Sequence, residues 1–304
     1  MLAACATGPR EGSARGPYPG PPLSLATLTT ATQILSSDEY EGRAPTTKGE
    51  DKAVAYIAQR FEKAGLQPGN KGSWYQDVPM VEISSTPSQL RVAGGGTPLA
   101  FDWRTDFVAN TYRVAPKVDL ENSEMVFVGY GINAPERGWN DYAGVDVRGK
   151  TVVMLVNDPD WQDEDLEGPF NGKAMTYYGR WTYKYEEAAR QGAAGALIVH
   201  DTGPASYGWN VVQSSWTGPQ YNLDEPGGHM DQSEVIGWLT NPAAQRLFAA
   251  SGQDLAALSA AAKRPGFKAV PLRTRASVSL RNEIKRQASR NVVGVLRGAK
   301  RPNE

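Results

Sequence analysis

The residues best suited to metal chemistry are a histidine and an aspartate in the His-Met-Asp segment at 229–231. An imidazole nitrogen and a carboxylate oxygen are both ligands that zinc accepts in proteins. His229 and Asp231 follow the polar stretch 224–228, whose proline and two glycines predict a turn. His200 is the only other histidine that a zinc site could use. We therefore interpret His229 and Asp231 as residues of an ordinary loop.

His200 follows the apolar run Ala196–Val199 and precedes Asp201. A histidine beside a carboxylate at the end of a strand can serve as a general base. A structural histidine held by a hydrogen bond is the favoured interpretation. A serine nucleophile would stand in a Gly-x-Ser-x-Gly elbow, and the sequence contains none. The Gly-Tyr-Gly segment at 129–131 lacks the third glycine and the helix of a dinucleotide-binding loop.

Carboxylates are concentrated between Asp158 and Glu167 and offer oxygen ligands of the kind that calcium prefers. Their spacing does not match the twelve-residue calcium-binding loop. A solvated acidic loop is the favoured interpretation of this stretch.

An aromatic segment contains the best candidates for a functional surface. Its candidate residues are Tyr177, Tyr178, Arg180, Trp181 and Tyr183. Gly179 lies among them and predicts a turn. Aromatic side chains beside an arginine commonly contact peptides or sugars. Packing of these side chains in the core is the favoured interpretation. Contact of these side chains with a substrate is the more specific hypothesis.

Composition and charge exclude several classes of partner. The chain has 32 basic and 33 acidic residues and a net charge of −1, which gives no electrostatic basis for binding nucleic acid or an anionic membrane. Its 304 residues are enough for two domains with separate cores. No run approaches the roughly 18 consecutive apolar residues of a membrane span.

The single cysteine, Cys5, excludes an internal disulfide and a cysteine-rich metal site. The Leu-Ala-Ala-Cys segment at 2–5 resembles the lipobox of bacterial lipoproteins, although only Met1 precedes it where a signal peptide should stand. The stretch 8–22 is rich in Gly, Pro and Ser, as a tether would be. We predict a lipidation site at Cys5 and an exported, periplasmic or outer-envelope lipoprotein.

A compact mixed domain is predicted in the middle of the chain. Apolar runs at Met125–Val128, Thr151–Val156 and Ala196–Val199 predict buried strands. The amphipathic run Tyr185–Gln191 predicts a short helix that ends at Gly192.

The clearest helix signal outside this domain is Thr47 with Glu50 three residues later, which matches a capping box. Gly65 and Pro68 predict the end of that helix. Further elements predicted from the pattern are a helix beginning at Leu23, short antiparallel strands within 74–114, helices at 241–252 and 254–263, and strands at Ala276–Leu280 and Asn291–Leu296.

Several segments, taken in order, resemble the bacterial two-zinc, co-catalytic aminopeptidases. Asp38–Pro45 and the helix ending in Ala64–Pro68 resemble the amino-terminal start of these enzymes. Many of them carry an inserted protease-associated (PA) domain, which Val126–Ile132, Asp141–Lys150 and Glu186–His200 resemble. Arg290–Gly298 is similar to the strand with which the peptidase domain resumes.

The resemblance implies an α/β fold with two parts. An incomplete zinc-peptidase domain, made of amino-terminal helices and first strands, would be interrupted by an inserted mixed α+β PA domain. The implied ranges are 1–22 for the leader and linker, 23–119 for the amino-terminal part of the peptidase domain, 120–262 for the PA insert and 263–304 for the resumed, truncated peptidase domain.

The resemblance also implies an exported enzyme that removes amino-terminal residues from peptides, with two zinc ions in the complete protein and the PA domain as a lid over the substrate. The first zinc ligands of the family follow shortly after the strand that Asn291–Leu296 resembles. No metal or catalytic residue is therefore carried over, and this chain alone is expected to bind no zinc and to be inactive.

The alternative is a non-enzymatic lipoprotein whose PA-like domain binds peptide or glycan. A strand at Asn291–Leu296 left unpaired at an exposed edge would favour the peptidase fragment, because open apolar edges promote aggregation and a binding module has no evident use for one. The expected partners are a peptide substrate, no nucleic acid, and a membrane only through a lipid on Cys5.

Overall fold

The computed structural model describes residues 24–300, which divide into two compact units. The smaller unit contains the described residues 24–74 and 292–300, and the larger unit is Tyr75–Asn291. The predicted leader and linker, with Cys5, lie outside the described residues. No helix within 24–300 is long and apolar enough to cross a membrane.

The described chain contains both α-helices and β-strands. The helices are α1 (Leu25–Leu35), α2 (Lys48–Lys63), α3 (Trp181–Arg190), α4 (Thr202–Ala205), α5 (Trp209–Ser215), α6 (Asn241–Ala250) and α7 (Leu255–Ala262). The strands are β1 (Gln67–Pro68), β2 (Tyr75–Pro87), β3 (Leu90–Gly94), β4 (Leu99–Phe101), β5 (Phe107–Asn110), β6 (Lys117–Phe127), β7 (Asn133–Ala134), β8 (Trp139–Asn140), β9 (Thr151–Leu155), β10 (Gly195–His200), β11 (Pro219–Leu223), β12 (Val235–Thr240), β13 (Val270–Val292) and β14 (Gly294–Val295). Short 3-10 helices span Asp38–Arg43, Pro135–Arg137, Gly172–Ala174 and Tyr177–Gly179.

The helix signal at Thr47 is confirmed in the smaller unit. Thr47 Oγ1 accepts a hydrogen bond from the backbone N–H of Glu50 at 3.3 Å, and the Glu50 carboxylate accepts one from the N–H of Thr46. One N–H group of the first turn of α2, and the N–H of the residue just before its cap, are thereby satisfied by side chains. Gly65, with φ +84°, follows the helix in the left-handed conformation that a glycine adopts without strain.

The last strand of the chain is not left unpaired. β14 pairs antiparallel with β1, so that Gln67 lies opposite Val295. Val295 and Leu296 nevertheless remain 42% and 72% exposed. An unpaired last strand would have favoured the peptidase fragment. Because this strand is paired, it does not distinguish the peptidase fragment from the non-enzymatic binding lipoprotein.

One mixed sheet of ten strands organises the larger unit. Its path is β11-β2-β13-β6-β9-β10-β12-β5, and β3 and β4 are attached through β13. The neighbours β6, β9, β10 and β12 are parallel, whereas β11, β13 and β5 make antiparallel pairs. A mixed sheet with helices confirms the α/β class, and the assignment of a PA insert stays a prediction.

The central strands are apolar because both faces of the sheet are covered. Alternate residues of one strand point to opposite faces. On β9, Val153 belongs to one core cluster while Val152 and Met154 belong to the other. Helix α6 packs Phe248 into the first cluster, and α3 packs Tyr185 into the second. Because both faces are buried, the sequences of these strands are continuous hydrophobic runs.

The domain ranges 23–119, 120–262 and 263–304 stay a prediction, and the two compact units of the structure are divided at other residues. The sheet explains the difference, because β2–β5 and β13 belong to the same hydrogen-bonded sheet as the central strands. The strand predicted at Ala276–Leu280 is confirmed but forms part of the longer strand β13. The strand predicted at Asn291–Leu296 is confirmed in part, since residues 291–292 end β13 and Gly294–Val295 form β14. The Asn-Pro pair at 241–242 predicts a helix that begins with Asn241 as its cap. Thr240 caps α6 instead, its Oγ1 accepting from Ala243 N at 3.2 Å.

The substitution Phe127→Ala tests the core on the α6 face. We expect it to lower the free energy of unfolding by about 3–5 kcal/mol, because the ring is fully buried and contacts the rings of Phe248 and Phe267 edge-on at 5.2 and 5.8 Å. Urea denaturation followed by circular dichroism measures the change. Val211→Ala, at a side chain that is 43% exposed, is the control and should change stability by about 0.5 kcal/mol or less. A loss at Phe127 no larger than at the control would contradict this packing.

Candidate functional site

A groove lies where the two ends of the large sheet approach each other. β5 packs against β2, which is the neighbour of the end strand β11, so the sheet curls. The groove has a volume of about 270 Å³. It is lined by residues 110–112 at the end of β5, residues 220–222 of β11, and Trp181, Thr182, Trp216 and Ile236.

Trp181 forms an aromatic wall of this groove and is held in place by other rings. Its ring contacts Trp216 at 5.7 Å and Tyr185 at 6.1 Å, both edge-on. Trp216 in turn packs on the buried Trp238 at 6.4 Å, and the Tyr185 hydroxyl donates to Gly237 O at 2.8 Å. Trp181 itself is 37% exposed. The groove therefore presents a partly exposed indole on a rigid support.

Neutral polar groups complete the groove. Asn110 Nδ2 donates to Trp216 O at 3.0 Å and fixes the turn after α5. Asn222 Nδ2 is buried without a hydrogen-bond partner in the described chain. A buried donor of this kind costs about 1–3 kcal/mol when unpaired. A carbonyl oxygen of a bound ligand would satisfy it.

The groove carries no formal charge of its own. None of its lining residues is an Asp, Glu, Lys or Arg. Burial, with a smaller effect of the Glu186 charge, raises the pKa of Tyr112 to about 12, so its hydroxyl stays neutral at physiological pH. The chemistry of the groove is thus hydrogen bonding and aromatic contact, which suits a peptide backbone better than an ion.

The five aromatic-segment candidates occupy different environments, and only Trp181 lines the groove. Tyr177 is 56% exposed and donates to the Glu186 carboxylate at 2.8 Å. Tyr178 is half-buried and donates to Glu136 Oε1 at 2.6 Å. Tyr183 is buried and donates to Asn133 O at 3.2 Å, which is the core packing favoured from the sequence. Arg180 is exposed in the turn before α3, and substrate contact by any of the five stays a prediction.

The groove also contains residues that sequence reasoning did not single out. Tyr112, Trp216 and Tyr221 come from three separate parts of the chain. The one available signal was the concentration of Trp and Tyr between 139 and 238. That signal cannot show which rings share a groove, because long-range strand pairing brings them together.

Both histidines have structural partners. His200 is buried, its Nε2 lies 3.0 Å from Tyr207 O, and burial lowers its pKa. His229 stands in a turn with φ +55°, and its Nε2 lies 2.7 Å from Leu223 O. Asp201, the neighbour of His200, caps α4 through Gly203 N at 3.2 Å. These contacts agree with the structural and loop interpretations of the two histidines.

The donor set of the described residues does not fit zinc. Within residues 24–300 no group of three or more His, Cys, Asp or Glu side chains is arranged to hold a metal ion. Zinc in proteins is held by at least three such ligands. No hydrolytic step is therefore assigned to these residues.

A buried lysine lies on the same helix as Trp181. Lys184 is completely buried, and its Nζ donates to Tyr130 O at 2.6 Å. Burial lowers its pKa to about 8, while the charges of Asp158 and Asp141 act in the opposite direction. Burial also raises the pKa of Asp141 to about 6, although Ile132 N and Trp139 Nε1 donate to its carboxylate at 3.0 and 2.8 Å. Lys184 of α3 and two carboxyl groups from the loops after β8 and β9 thus form a buried group of titrating side chains.

Comparison with known proteins gives structural neighbours only. No family model matches the sequence, and neither does any curated protein. An aminopeptidase from Aneurinibacillus sp. strain AM-1 is similar, with 20% identity and a TM-score of 0.39, over 90% of this chain and 48% of that one. BSAP, a zinc aminopeptidase from Bacillus subtilis, is 12% identical with a TM-score of 0.34, over 92% of this chain and 48% of that one. The chain spans about half the length of these enzymes, and neither similarity assigns it to a family.

The pH dependence of stability tests the buried carboxyl of Asp141. Its pKa rises from the ordinary 3.8 to about 6 in the folded protein, so the folded state holds an extra proton between these values. Its contribution to stability is fully present below pH 4 and is lost as the pH rises through 6. The unfolding free energy of the wild type minus that of Asp141→Asn should therefore decrease from pH 4 to pH 6.

Urea denaturation at several pH values measures that difference. The matched control is Asp163→Asn, which removes a carboxylate from an exposed position. The unfolding free energy of the control should change with pH as that of the wild type does over the same range. A difference between wild type and Asp141→Asn that does not change with pH would contradict a raised pKa.

Proposed function

We propose that this chain is the non-catalytic, amino-terminal portion of a zinc aminopeptidase, and that the groove beside Trp181 binds the peptide substrate. The observation that carries the proposal is the uncharged groove between the ends of the sheet, with its fixed indole and the unpartnered amide of Asn222. The aminopeptidase part rests on the sequence resemblance. The finer parts of the proposal are a PA domain that acts as a lid, export, and a lipid anchor at Cys5.

An extended peptide fits the chemistry of the groove. β11 ends the path of the sheet and has a strand neighbour on one side only. Peptides commonly add to such an edge through backbone hydrogen bonds, while pockets beside the edge receive alternate side chains. The Asn222 amide would donate to a peptide carbonyl, and the rings of Trp181 and Trp216 would contact a side chain. Rigid aromatic anchors of this kind dominate many binding energies.

Zinc and the catalytic base would be supplied in the proposed enzyme by chain beyond residue 304. Residues 24–300 would position the peptide, and the rest of the proposed enzyme would carry out the hydrolysis. The donor set of the described residues, which offers no group of three metal-binding side chains, supports this division of roles.

Titration calorimetry with a pentapeptide of alanine and leucine tests the groove. We expect saturable binding, and we expect Trp181→Ala to weaken it by about tenfold or more, because the indole is a partly exposed aromatic anchor on a rigid support. Val211→Ala on the neighbouring α5 is the control and should leave the affinity unchanged. Equal affinities of the wild type and Trp181→Ala, or no binding at all, would reject the groove as the peptide site.

The enzymatic part of the proposal has a separate test. Sequencing the coding DNA past codon 304 would reveal whether the frame continues into a strand and a His-x-Asp segment. Such a continuation supports a fragment of a two-zinc aminopeptidase. A stop codon without that segment downstream in any frame would favour the non-enzymatic binding lipoprotein instead.

A further inference from the structure

A second and larger cavity lies at the carboxyl ends of the parallel strands. It has a volume of about 690 Å³. Tyr130 follows β6, Val156 follows β9, Asp201 follows β10 and Asn241 follows β12, and all four residues line it. In α/β sheets this edge is where ligands characteristically bind, because the loops that leave neighbouring strands meet there. The cavity shares no lining residue with the groove beside Trp181.

The walls of the cavity come from elements on both sides of this edge. Helices α6 and α7, with the turn between them, supply one side, and Trp161 in the loop after β9 supplies another. Leu155, Val199 and Leu255 give it an apolar floor. The volume lies within the range of about 300–1,000 Å³ that is usual for small-molecule sites.

Trp161 provides a half-buried aromatic wall with a fixed position. Its ring packs so closely on Gly203 that a side chain there would lie 3.3 Å from the indole. The ammonium of Lys263 lies 5.9 Å from the ring centre and donates to Gln162 Oε1 at 2.5 Å. The indole is therefore held between the loop after β10 and the end of α7.

The polar lining consists mainly of amides that retain hydrogen-bonding capacity. Asn241 Oδ1 accepts from Gln245 Nε2 at 2.8 Å, which leaves the Asn241 N–H donors and the Gln245 carbonyl for a ligand. The side chain of Gln253 makes no hydrogen bond within the described chain, so its donors and its acceptor are both available. These groups can pair with a ligand that both donates and accepts.

The charges around the cavity disfavour an anionic ligand. Asp201 and Asp254 line it together with the single cation Lys263. Each carboxylate uses one oxygen to cap a helix, Asp201 at 3.2 Å from Gly203 N and Asp254 at 3.0 Å from Ala257 N. The other oxygen of each remains an acceptor. A phosphate or carboxylate ligand would meet two like charges and one opposite charge, whereas a neutral ligand with hydroxyl groups would meet acceptors.

We propose that this cavity binds a neutral mono- or disaccharide. The apolar C–H face of a sugar ring would lie on Trp161, and its hydroxyl groups would pair with the amides of Asn241 and Gln253 and with the two carboxylates. Hydroxyl groups donate and accept, which matches this mixed lining. The inference does not depend on the proposed aminopeptidase function, since it uses other residues.

Isothermal titration of the full chain with glucose, galactose, N-acetylglucosamine, maltose, cellobiose and chitobiose tests the proposal. At least one sugar should bind with a Kd of about 1 mM or tighter. Trp161→Ala should weaken that binding by about tenfold and Gln253→Ala by about threefold, since the first removes the stacking surface and the second a bidentate partner. Leu166→Ala, on the same loop and 63% exposed, is the matched control and should leave the affinity unchanged.

Variants in the cavity and in the groove beside Trp181 show which of the two binds the sugar. Trp181→Ala should retain sugar binding, because that residue lies in the other groove. The proposal is overturned if no sugar in the panel binds, if Trp161→Ala binds as the wild type does, or if Trp181→Ala abolishes binding. Should circular dichroism show that Trp161→Ala is unfolded, Gln253→Ala decides, and an unchanged affinity in that variant overturns the proposal.

Discussion

The burial of the parallel part of the large sheet on both faces is the constraint from which the larger unit follows. β9, β10, β12 and the last three residues of β6 are buried on both faces, so helices must cover each side of this part of the sheet. Parallel neighbours also require crossover connections, and those connections bring loops to the carboxyl edge. The large cavity lies among these loops. The same requirement that builds the core therefore builds the place where a ligand can enter.

The antiparallel strands at the two ends of the sheet have a different consequence. They are not closed by further strands, and the sheet curls until β5 lies against β2. The neutral groove beside Trp181 lies at this junction. The two candidate sites thus arise from two different properties of one sheet, which explains why they share no residue and why their variants can be tested independently.

Sequence reasoning was strongest where a local signal and the tertiary structure agree. The runs at 151–156 and 196–199 are continuous because the strands are buried on both faces, and Thr47 with Glu50 satisfies N–H groups within one turn of helix. It found only part of the strand at 270–292, because this strand alternates between buried and exposed residues and its polar side chains interrupt the apolar pattern. Lys184 was not singled out either, since a lysine in a helix usually faces solvent. The groove could not be assembled from sequence, because Tyr112 and Trp216 meet Trp181 only through long-range pairing.

The hydrogen bond from Lys184 to Tyr130 O has a mechanical consequence. Trp181 begins α3 and lines the groove, and Lys184 one turn later holds the carbonyl of a residue that lines the cavity. Tyr185 adds a second attachment, to Gly237 O of β12. Helix α3 is therefore bonded through two adjacent residues, to the turn after β6 and to the middle of β12. Breaking the Lys184 bond would leave a buried ammonium without its partner, which costs more than the roughly 1–3 kcal/mol of a neutral group. A displacement of α3 would therefore alter the groove and the cavity together, because the helix carries Trp181 and holds the carbonyl of Tyr130.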